Sequence, residues 1–204
     1  MKVKYGTFPP LSNNCYLIVD EKTDFSALVD CSEYSEKMRR LIGDTDLKYI
    51  LLTHGHFDHI GGVKEVRENY GAKVVISSED EEMLRNPAKS LAAFSGGSQN
   101  GINADIIVGD GDVITLGDTE IKVLKTPGHT KGGLCYITGD SIFTGDTLFC
   151  CSCGRTDFPG GSGSEMLASL RRLKALDGNY KVYPGHEDIS TLDFERKNNP
   201  YMSM

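Results

Sequence analysis

The chain of 204 residues is long enough to bury a substantial hydrophobic core without disulfide bonds. Its formal net charge of −7 and its pI near 5.2 provide no broad basic surface for a phosphate backbone, so we expect no nucleic-acid partner. No stretch approaches the length of a membrane span, and the first residues lack the apolar core of a signal peptide. We therefore expect a cytoplasmic protein with no membrane partner and with its six cysteines reduced and unpaired.

The first half of the chain alternates short apolar runs with turn residues, a pattern typical of strands. The pairs Pro9-Pro10 and Asn13-Asn14 mark the first turns. The sequence predicts strands at residues 3–5, 15–19, 27–29, 47–52 and 74–76, and helices at residues 34–43, 58–70 and 79–85. Residues 87–103 are expected to form a connection that is either a mobile lid over a site or a plain surface loop.

The second half repeats the strand pattern and ends with a helix and one more strand. The predicted strands lie at residues 112–116, 121–124, 134–137, 141–144 and 181–183, and the predicted helix lies at residues 164–176. No linker divides the two runs of strands, so we expect one domain over residues 1–204. The pattern favours an α+β fold in which two sheets pack face to face under outer helices, with residues from both halves meeting at one edge.

One short segment, Thr53-His54-Gly55-His56-Phe57-Asp58-His59, contains three of the five histidines and a carboxylate. Imidazole and carboxylate groups bind borderline divalent cations such as zinc, manganese and iron. His54 and His56 are two positions apart, so they point the same way only where the backbone is extended. The segment follows a predicted strand and precedes a predicted helix, so we interpret it as half of a metal site rather than a surface loop. The place of Asp58 at the start of that helix also suits it to cap the helix, a role compatible with metal binding.

The two remaining histidines and one further aspartate stand in similar surroundings. His129 and His186 each follow a short apolar stretch and a Pro-Gly turn, which places them at strand ends. Asp146 follows a third apolar run. These three residues are candidates to complete the site.

This ordered set of motifs resembles the metallo-β-lactamase superfamily, whose fold is an αββα sandwich of two mixed sheets with helices on both outer faces. The resemblance implies two divalent metal ions per chain, with zinc favoured and iron or manganese as alternatives. It assigns His54, His56 and His129 to one ion, Asp58, His59 and His186 to the other, and Asp146 to a bridge between them. Three ligands and a shared carboxylate leave an open position for water, which a catalytic site requires.

The expected mechanism follows from charge. Two divalent ions contribute +4, Asp58 and Asp146 contribute −2, and a bridging hydroxide −1, so the loaded site would carry about +1 and attract a small anionic substrate. Metal binding lowers the pKa of water from 15.7 to about 7, which supplies hydroxide at neutral pH. Asp58 is the candidate catalytic residue that orients this nucleophile or accepts its proton.

Within the superfamily, the chain is most similar to small proteins of the type II glyoxalase (hydroxyacylglutathione hydrolase) kind. Residues 145–149, 153–161 and 195–201 carry this similarity. It implies a thioesterase in which Arg155 contacts a glutathione carboxylate, a task that suits its forked guanidinium. In that family two tyrosines contact glutathione where this chain has Asp157 and Asp188, and a C-terminal helical domain follows that we do not expect here. The expected substrate is a small anionic thioester, either a glutathione conjugate or an ester of another thiol carrier.

Two other activities of the same fold are alternatives. Persulfide dioxygenases share the segment Cys153-Gly154-Arg155-Thr156-Asp157 and bind a single iron. A phosphoesterase or nuclease is the third possibility, which the acidic composition disfavours. The neighbouring segment Cys150-Cys151-Ser152-Cys153 could be a redox-sensitive cluster, an auxiliary metal site or a set of ordinary thiols.

Overall fold

The computed structural model describes residues 1–95 and 101–203, in which two mixed six-stranded sheets dominate. The elements of the first half are β1 (Lys2–Phe8), β2 (Asn13–Val19), β3 (Phe25–Val29), α1 (Glu36–Ile42), β4 (Asp46–Leu51), α2 (Phe57–Ile60), α3 (Val63–Tyr70), β5 (Lys73–Ser77), a 3-10 turn (Glu81–Leu84), α4 (Ala92–Ser95) and β6 (Ile106–Val108). The six strands lie in chain order, with β1 to β3 antiparallel and β3 to β6 parallel. Parallel neighbours need crossover connections, and α1 and α3 provide two of them.

The second half forms the other sheet. Its elements are β7 (Val113–Leu116), β8 (Thr119–Lys125), β9 (Leu134–Thr138), β10 (Ser141–Gly145), the short hairpin β11 (Leu148–Phe149) and β12 (Ser152–Cys153), α5 (Gly163–Lys174), β13 (Lys181–Pro184), β14 (Ser190–Thr191), α6 (Leu192–Asn198) and a 3-10 turn (Pro200–Met202). The strand order is β14-β13-β10-β9-β8-β7. Only β10 and β13 pair in parallel, and α5 lies in the crossover between them.

Alternate residues of each sheet serve different layers of the core. On β2, Tyr16 and Ile18 join the apolar cluster between the two sheets, whereas Cys15, Leu17 and Val19 join the cluster between the first sheet and α1 and α3. A third cluster packs the outer face of the second sheet against α5 and α6. The layers therefore run helix, sheet, sheet, helix, which confirms the predicted αββα fold.

The single helix predicted over residues 58–70 is wrong, because the structure divides it into α2 and α3. The break falls at Gly61 and Gly62, against which the loop after β3 packs closely. A Cβ atom at Gly61 would collide with the Ser32 carbonyl oxygen, and one at Gly62 would collide with the Glu33 backbone. The apolar spacing of the segment continues through the glycines, so periodicity alone did not reveal the break.

Several short elements were also missed. The helix predicted at residues 79–85 is only the 3-10 turn, and the connection predicted over residues 87–103 contains α4. The strands β6, β11, β12 and β14 have two or three residues each, too few to display an alternating pattern. α6 and the final 3-10 turn were also not predicted. Part of the proposed lid, residues 96–100, lies outside the described residues.

The described chain contains no helix that is both long enough and apolar enough to cross a membrane. All six cysteines are unpaired, as predicted, and Cys15, Cys31 and Cys135 are buried. Burial raises the pKa of the Cys15 and Cys135 thiols to about 12.

Candidate metal centre

The seven predicted ligands all follow strand ends that meet at one edge of the sandwich. Four of them lie in the loop and first turn after β4, and one each follows β8, β10 and β13. The structure brings them into three overlapping groups, in each of which the ligand atoms lie within 4.8 Å of one another. The groups are His54, His56 and His129; His54, His59 and Asp146; and Asp58, His59 and His186.

The first group consists of three imidazoles facing one another. The ring centroids of His54, His56 and His129 are 4.6 to 4.8 Å apart. Nδ1 of His129 donates to the Arg155 carbonyl oxygen at 2.7 Å, so Nε2 of neutral His129 presents a lone pair, 2.8 Å from Nδ1 of His56. Nε2 of His54 is buried and has no hydrogen-bond partner among the described residues. An unpartnered buried nitrogen beside two other ring nitrogens is the environment that a cation would satisfy.

Asp58, His59 and His186 form a second group, which joins two imidazoles to a carboxylate. Oδ2 of Asp58 lies 3.2 Å from Nε2 of His186 and 3.5 Å from Nε2 of His59. Asp58 faces these rings from the first turn of α2, whose N-cap position is taken by His56, so the additional capping role predicted for Asp58 is wrong. Burial of Asp58 opposes ionisation, but the nearby His59 and the hydrogen bond to His186 hold its pKa below the ordinary value.

Asp146 lies between the two groups. Its Oδ1 is 3.3 Å from Nε2 of His59, and its Oδ2 is 3.4 Å from Nε2 of His129. Burial opposes its ionisation, but His59 and His129 hold its pKa well below the ordinary value. Oδ2 also lies 3.7 Å from Nε2 of His186. One ionised carboxylate therefore reaches ligands of both groups, which is the position expected of a bridge.

Asp30 fixes the loop that carries four of the ligands, and sequence reasoning missed it. Its Oδ1 accepts a hydrogen bond from the backbone N–H of Thr53, and its Oδ2 accepts from the Thr53 hydroxyl and from Nδ1 of His59, all at 2.8 Å. Asp30 is only 1% exposed and has a φ of 57°. Donation from Nδ1 leaves Nε2 of His59 directed at Asp58 and Asp146. The available signal was the position of Asp30 directly after an apolar strand, like that of Asp146.

A second missed carboxylate, Asp80, connects the ligand loops of the two halves. Its Oδ2 accepts from the Thr130 hydroxyl at 2.6 Å and from the Gly55 N–H at 3.3 Å, and its Oδ1 accepts from the Gly132 N–H at 2.9 Å. Burial raises the pKa of Asp80. Asp80 thereby holds the loop after β4 against the loop after β8.

The imidazoles divide into two electrostatic classes. Burial, followed by repulsion from other imidazoles, lowers the pKa of His54 far below its usual value and that of His56 to about 3. Burial also disfavours protonation of His59, but the carboxylates Asp58, Asp146 and Asp30 outweigh it and raise the pKa of that ring. Within the described residues, no lysine or arginine forms an ion pair with these carboxylates. The low pKa values of His54 and His56 keep their rings neutral and able to bind a metal ion, and the carboxylates around His59 attract positive charge, which a divalent cation would also supply.

An open cleft of about 760 Å³ lies above these ligands. Its wall is largely apolar and is formed by Leu11, Phe57, Leu91, Phe94, Phe149, Phe158 and Pro159. Leu11 and Phe94 are 56% and 82% exposed. Large exposed apolar side chains grouped around a polar floor are typical of a binding site.

Arg155, the predicted substrate contact, also lines this cleft. Its guanidinium forms two hydrogen bonds of 2.6 Å to the carboxylate of Asp157 and lies 4.0 Å from the ring centroid of Phe158. The side chain is 57% exposed. The guanidinium of Arg155 thus lies at the cleft but is already hydrogen-bonded to Asp157. Its contact with a substrate stays a prediction.

Comparison with known proteins agrees with this architecture. Residues 8–186 match the family described as the metallo-beta-lactamase superfamily. A hydroxyacylglutathione hydrolase of Pelagibacter ubique is 38% identical over 178 residues, which cover 86% of this chain and 66% of that protein. The crystal structure of the B3 metallo-beta-lactamase BLEG-1 superposes with a TM-score of 0.93 at 28% identity and covers the whole of both chains. A di-iron-bound form of TTHA1623 gives a TM-score of 0.85 at 31% identity, covering 97% of this chain and 99% of that one.

The chain belongs to the metallo-β-lactamase superfamily. It is accordingly a metal-binding hydrolase of that superfamily, with its His and Asp clusters at the sheet edge.

Proposed function

We propose that this protein is a thioesterase of the hydroxyacylglutathione hydrolase type that works with two divalent cations. The observation that carries the proposal is the pair of three-residue ligand groups with one carboxylate between them at the floor of a cleft. His54, His56 and His129 would hold one cation, and Asp58, His59 and His186 the other, with Asp146 shared. We favour zinc, which imidazole and carboxylate ligands suit, with iron or manganese as alternatives.

Bound divalent cations lower the pKa of a coordinated water from 15.7 to about 7 and polarise a carbonyl oxygen. The protein's own contribution starts with Asp58. Because its neighbours keep Asp58 ionised, its carboxylate can accept a hydrogen bond from the attacking water and fix its orientation. Asp30 acts on the same loop by holding the His59 ring in one orientation.

The leaving group distinguishes a thioester from other acyl compounds. A thiol with an ordinary pKa of about 8.5 departs as a thiolate, so it needs no proton donor. An alkoxide or an amine anion would need one. Apart from the ligand residues, the polar side chains that line the described part of the cleft are those of Ser95 and Arg155. Neither is an acid suited to that task, which supports a thioester substrate.

The cleft also bears on the choice of thiol carrier. The expected charge of about +1 on the loaded centre did not include Asp30, whose carboxylate contacts His59. Adding its charge of −1 brings the sum to about zero, which weakens the attraction of an anion. Arg155 is paired with Asp157, and the remaining wall is apolar. We therefore propose that the enzyme prefers a thioester with a sizeable apolar acyl group or carrier over S-lactoylglutathione.

The decisive experiment combines metal analysis with a substrate panel. Protein purified without chelators or added metal is analysed for metal identity and stoichiometry. It is then assayed with S-lactoylglutathione and with a hexanoyl thioester of N-acetylcysteamine. Two ions bound at the His and Asp centre and a higher kcat/KM for the hexanoyl thioester are expected. Hydrolysis of neither thioester by fully loaded protein would refute the thioesterase proposal, and faster hydrolysis of S-lactoylglutathione would refute the apolar preference.

One observation keeps a second candidate open. The segment shared with persulfide dioxygenases borders the centre directly, since the Arg155 carbonyl oxygen accepts the hydrogen bond from Nδ1 of His129. A mononuclear-iron dioxygenase would contain one iron per centre and consume oxygen in the presence of glutathione persulfide. The same purified protein tests this with an oxygen electrode.

A further inference from the structure

A group of three potential ligands lies outside the catalytic centre, where α6 packs against the β11–β12 hairpin. Cys150 and Cys151 form the turn of the hairpin, and Glu195 belongs to α6. Oε2 of Glu195 accepts hydrogen bonds from the Cys151 N–H and from Nδ2 of Asn199, both at 2.9 Å. Asn199 donates in addition to the Ser152 carbonyl oxygen at 2.9 Å. The carboxylate of Glu195 is thereby fixed beside the two thiols.

The backbone of the turn directs both thiols to the same side. Adjacent side chains on an extended strand point in opposite directions. Cys151 instead has a φ of 54°, in the left-handed region that non-glycine residues seldom adopt. As a result the sulfur atoms of Cys150 and Cys151 and a carboxylate oxygen of Glu195 lie within 4.8 Å of one another.

One oxygen of Glu195 lacks a partner. Glu195 is fully buried, and its Oε1 accepts no hydrogen bond from any described residue. Within residues 1–95 and 101–203, no lysine, arginine or histidine forms an ion pair with it. A buried carboxylate oxygen without a donor or a cation is costly. A cation bound by this carboxylate and the neighbouring thiols would compensate that cost.

We propose that Cys150, Cys151 and Glu195 form a second metal site that binds one soft or borderline divalent cation such as zinc. Zinc binds thiolate sulfur at about 2.3 Å and carboxylate oxygen at about 2.0–2.2 Å, so tetrahedral ligands lie about 3.7 Å apart. The three ligand atoms already lie within 4.8 Å of one another, so binding would draw them together by about 1 Å or less. A water molecule completes the fourth position.

Such an ion would fasten α6 to the hairpin that carries Phe149, a residue of the cleft wall. Its role is structural, and the proposal does not depend on which reaction the catalytic centre performs. Cys153 is excluded from the site, because it packs against the apolar cluster beneath α5 and α6.

Cobalt(II) binding provides a spectroscopic signal that is specific to a site with cysteine ligands. The protein, kept reduced with a phosphine, is titrated with cobalt(II), and the sulfur-to-cobalt charge-transfer absorbance is recorded. The catalytic centre contains no cysteine and gives no such band, so the result is independent of the proposed thioesterase activity. The double variant Cys150→Ser with Cys151→Ser removes both sulfurs, Glu195→Gln removes the carboxylate charge, and Cys153→Ser is the matched control.

We expect a band that corresponds to one sulfur-bound cobalt per chain at saturation, that zinc displaces, and that the Cys153→Ser variant retains. The double variant should lose the band. Glu195→Gln should weaken cobalt binding by about tenfold or more, since even residues that only orient a ligand typically contribute 10–100-fold to affinity. A reduced wild-type protein without the band, or a double variant that keeps it, would overturn the proposal.

Discussion

The two halves of the molecule supply ligands to the candidate metal centre in different ways. The first half contributes four ligands from one continuous loop, which Asp30 and Asp80 hold through hydrogen bonds to backbone and side chain. The second half contributes His129, Asp146 and His186 from three separate strand ends, so their relative positions depend on the register of β8, β10 and β13. The difference suggests that loss of an anchoring carboxylate weakens the first half gradually, whereas a steric change between strand ends in the second half disrupts the centre outright.

The largest effect is expected from Gly185→Ala in the second half. A Cβ atom there would lie 2.5 Å from Oδ1 of Asp146 and 2.8 Å from Cε1 of His59. Both ligands would have to move, and a displacement of about 1 Å in a catalytic site can cost about 100-fold in rate. We expect kcat/KM to fall by about 100-fold or more and the metal content to fall with it. Elemental analysis and steady-state kinetics measure both.

Gly109→Ala is the matched control for this substitution. Gly109 lies in an exposed loop of the same half, and the nearest atom to an added Cβ is Oδ2 of Asp112 at 4.0 Å. The control should keep full metal content and activity. If Gly185→Ala behaved like Gly109→Ala, the close approach of the strand ends would not determine the geometry of the centre.

A smaller effect is expected from Asp30→Asn in the first half. The amide keeps the size of the carboxylate but presents an NH₂ group either to the N–H of Thr53 or to Nδ1 of His59, both of which need an acceptor. Loss of such an orienting partner typically lowers metal affinity by 10–100-fold. Competition with a chromogenic chelator measures the change. An unaltered affinity would show that the loop holds its ligands without Asp30.

At the cleft, Arg155→Gln should change KM for S-lactoylglutathione by about fivefold or less. The arginine side chain is 57% exposed and already paired with Asp157, and exposed ion pairs contribute about 0.2–1 kcal/mol. Asp157→Asn is the informative partner variant, because it frees the guanidinium and should lower KM for a substrate that carries a carboxylate. A rise in KM well above tenfold for Arg155→Gln would instead establish the substrate contact that the family resemblance implies.

The same contrast explains what the sequence could predict. The loop of His54, His56, Asp58 and His59 is a dense local signal, and the remaining candidate ligands could be proposed because each directly follows an apolar strand or a Pro-Gly turn. Asp30 gave a comparable signal, but a lone aspartate after a strand is also an ordinary turn residue.

Contacts between residues that are distant in the chain could not be predicted from local sequence patterns. Glu195 is 44 positions from Cys151, and only the docking of α6 against the hairpin brings them together. The break between α2 and α3 likewise falls where the Ser32 loop, which is distant in sequence, packs closely against Gly61. The αββα layers were predictable because alternation and helical spacing are themselves local.

The smallest effect on catalysis is expected from Asp20→Asn. Asp20 joins the two halves of the molecule at the end of β2 that lies opposite the metal centre. Asp20 is 3% exposed, and its carboxylate accepts hydrogen bonds from the N–H of Thr23 on one side and from the Thr119 hydroxyl and the Asp118 N–H on the other. Its distance from the ligands makes it a control for Asp30→Asn, since both variants replace a buried, hydrogen-bonded aspartate. We expect unchanged kcat/KM and metal affinity, together with a lower urea midpoint at neutral pH.

The pH dependence identifies the origin of that loss of stability. The hydrogen bond from Thr119, the largest contribution, holds the pKa of folded Asp20 well below the ordinary value of 3.8. A carboxylate whose pKa is lowered by folding stabilises the folded state fully above its unfolded pKa and loses that contribution as the pH falls toward the folded pKa. The gap in urea midpoint between wild type and Asp20→Asn should therefore be constant from pH 7 to about pH 5 and shrink below about pH 4. If the difference in urea midpoint stayed the same down to pH 3, the charge of the Asp20 carboxylate would not be what joins the halves at this end. If the difference shrank while activity was unchanged, the two ends of the sandwich would be stabilised independently.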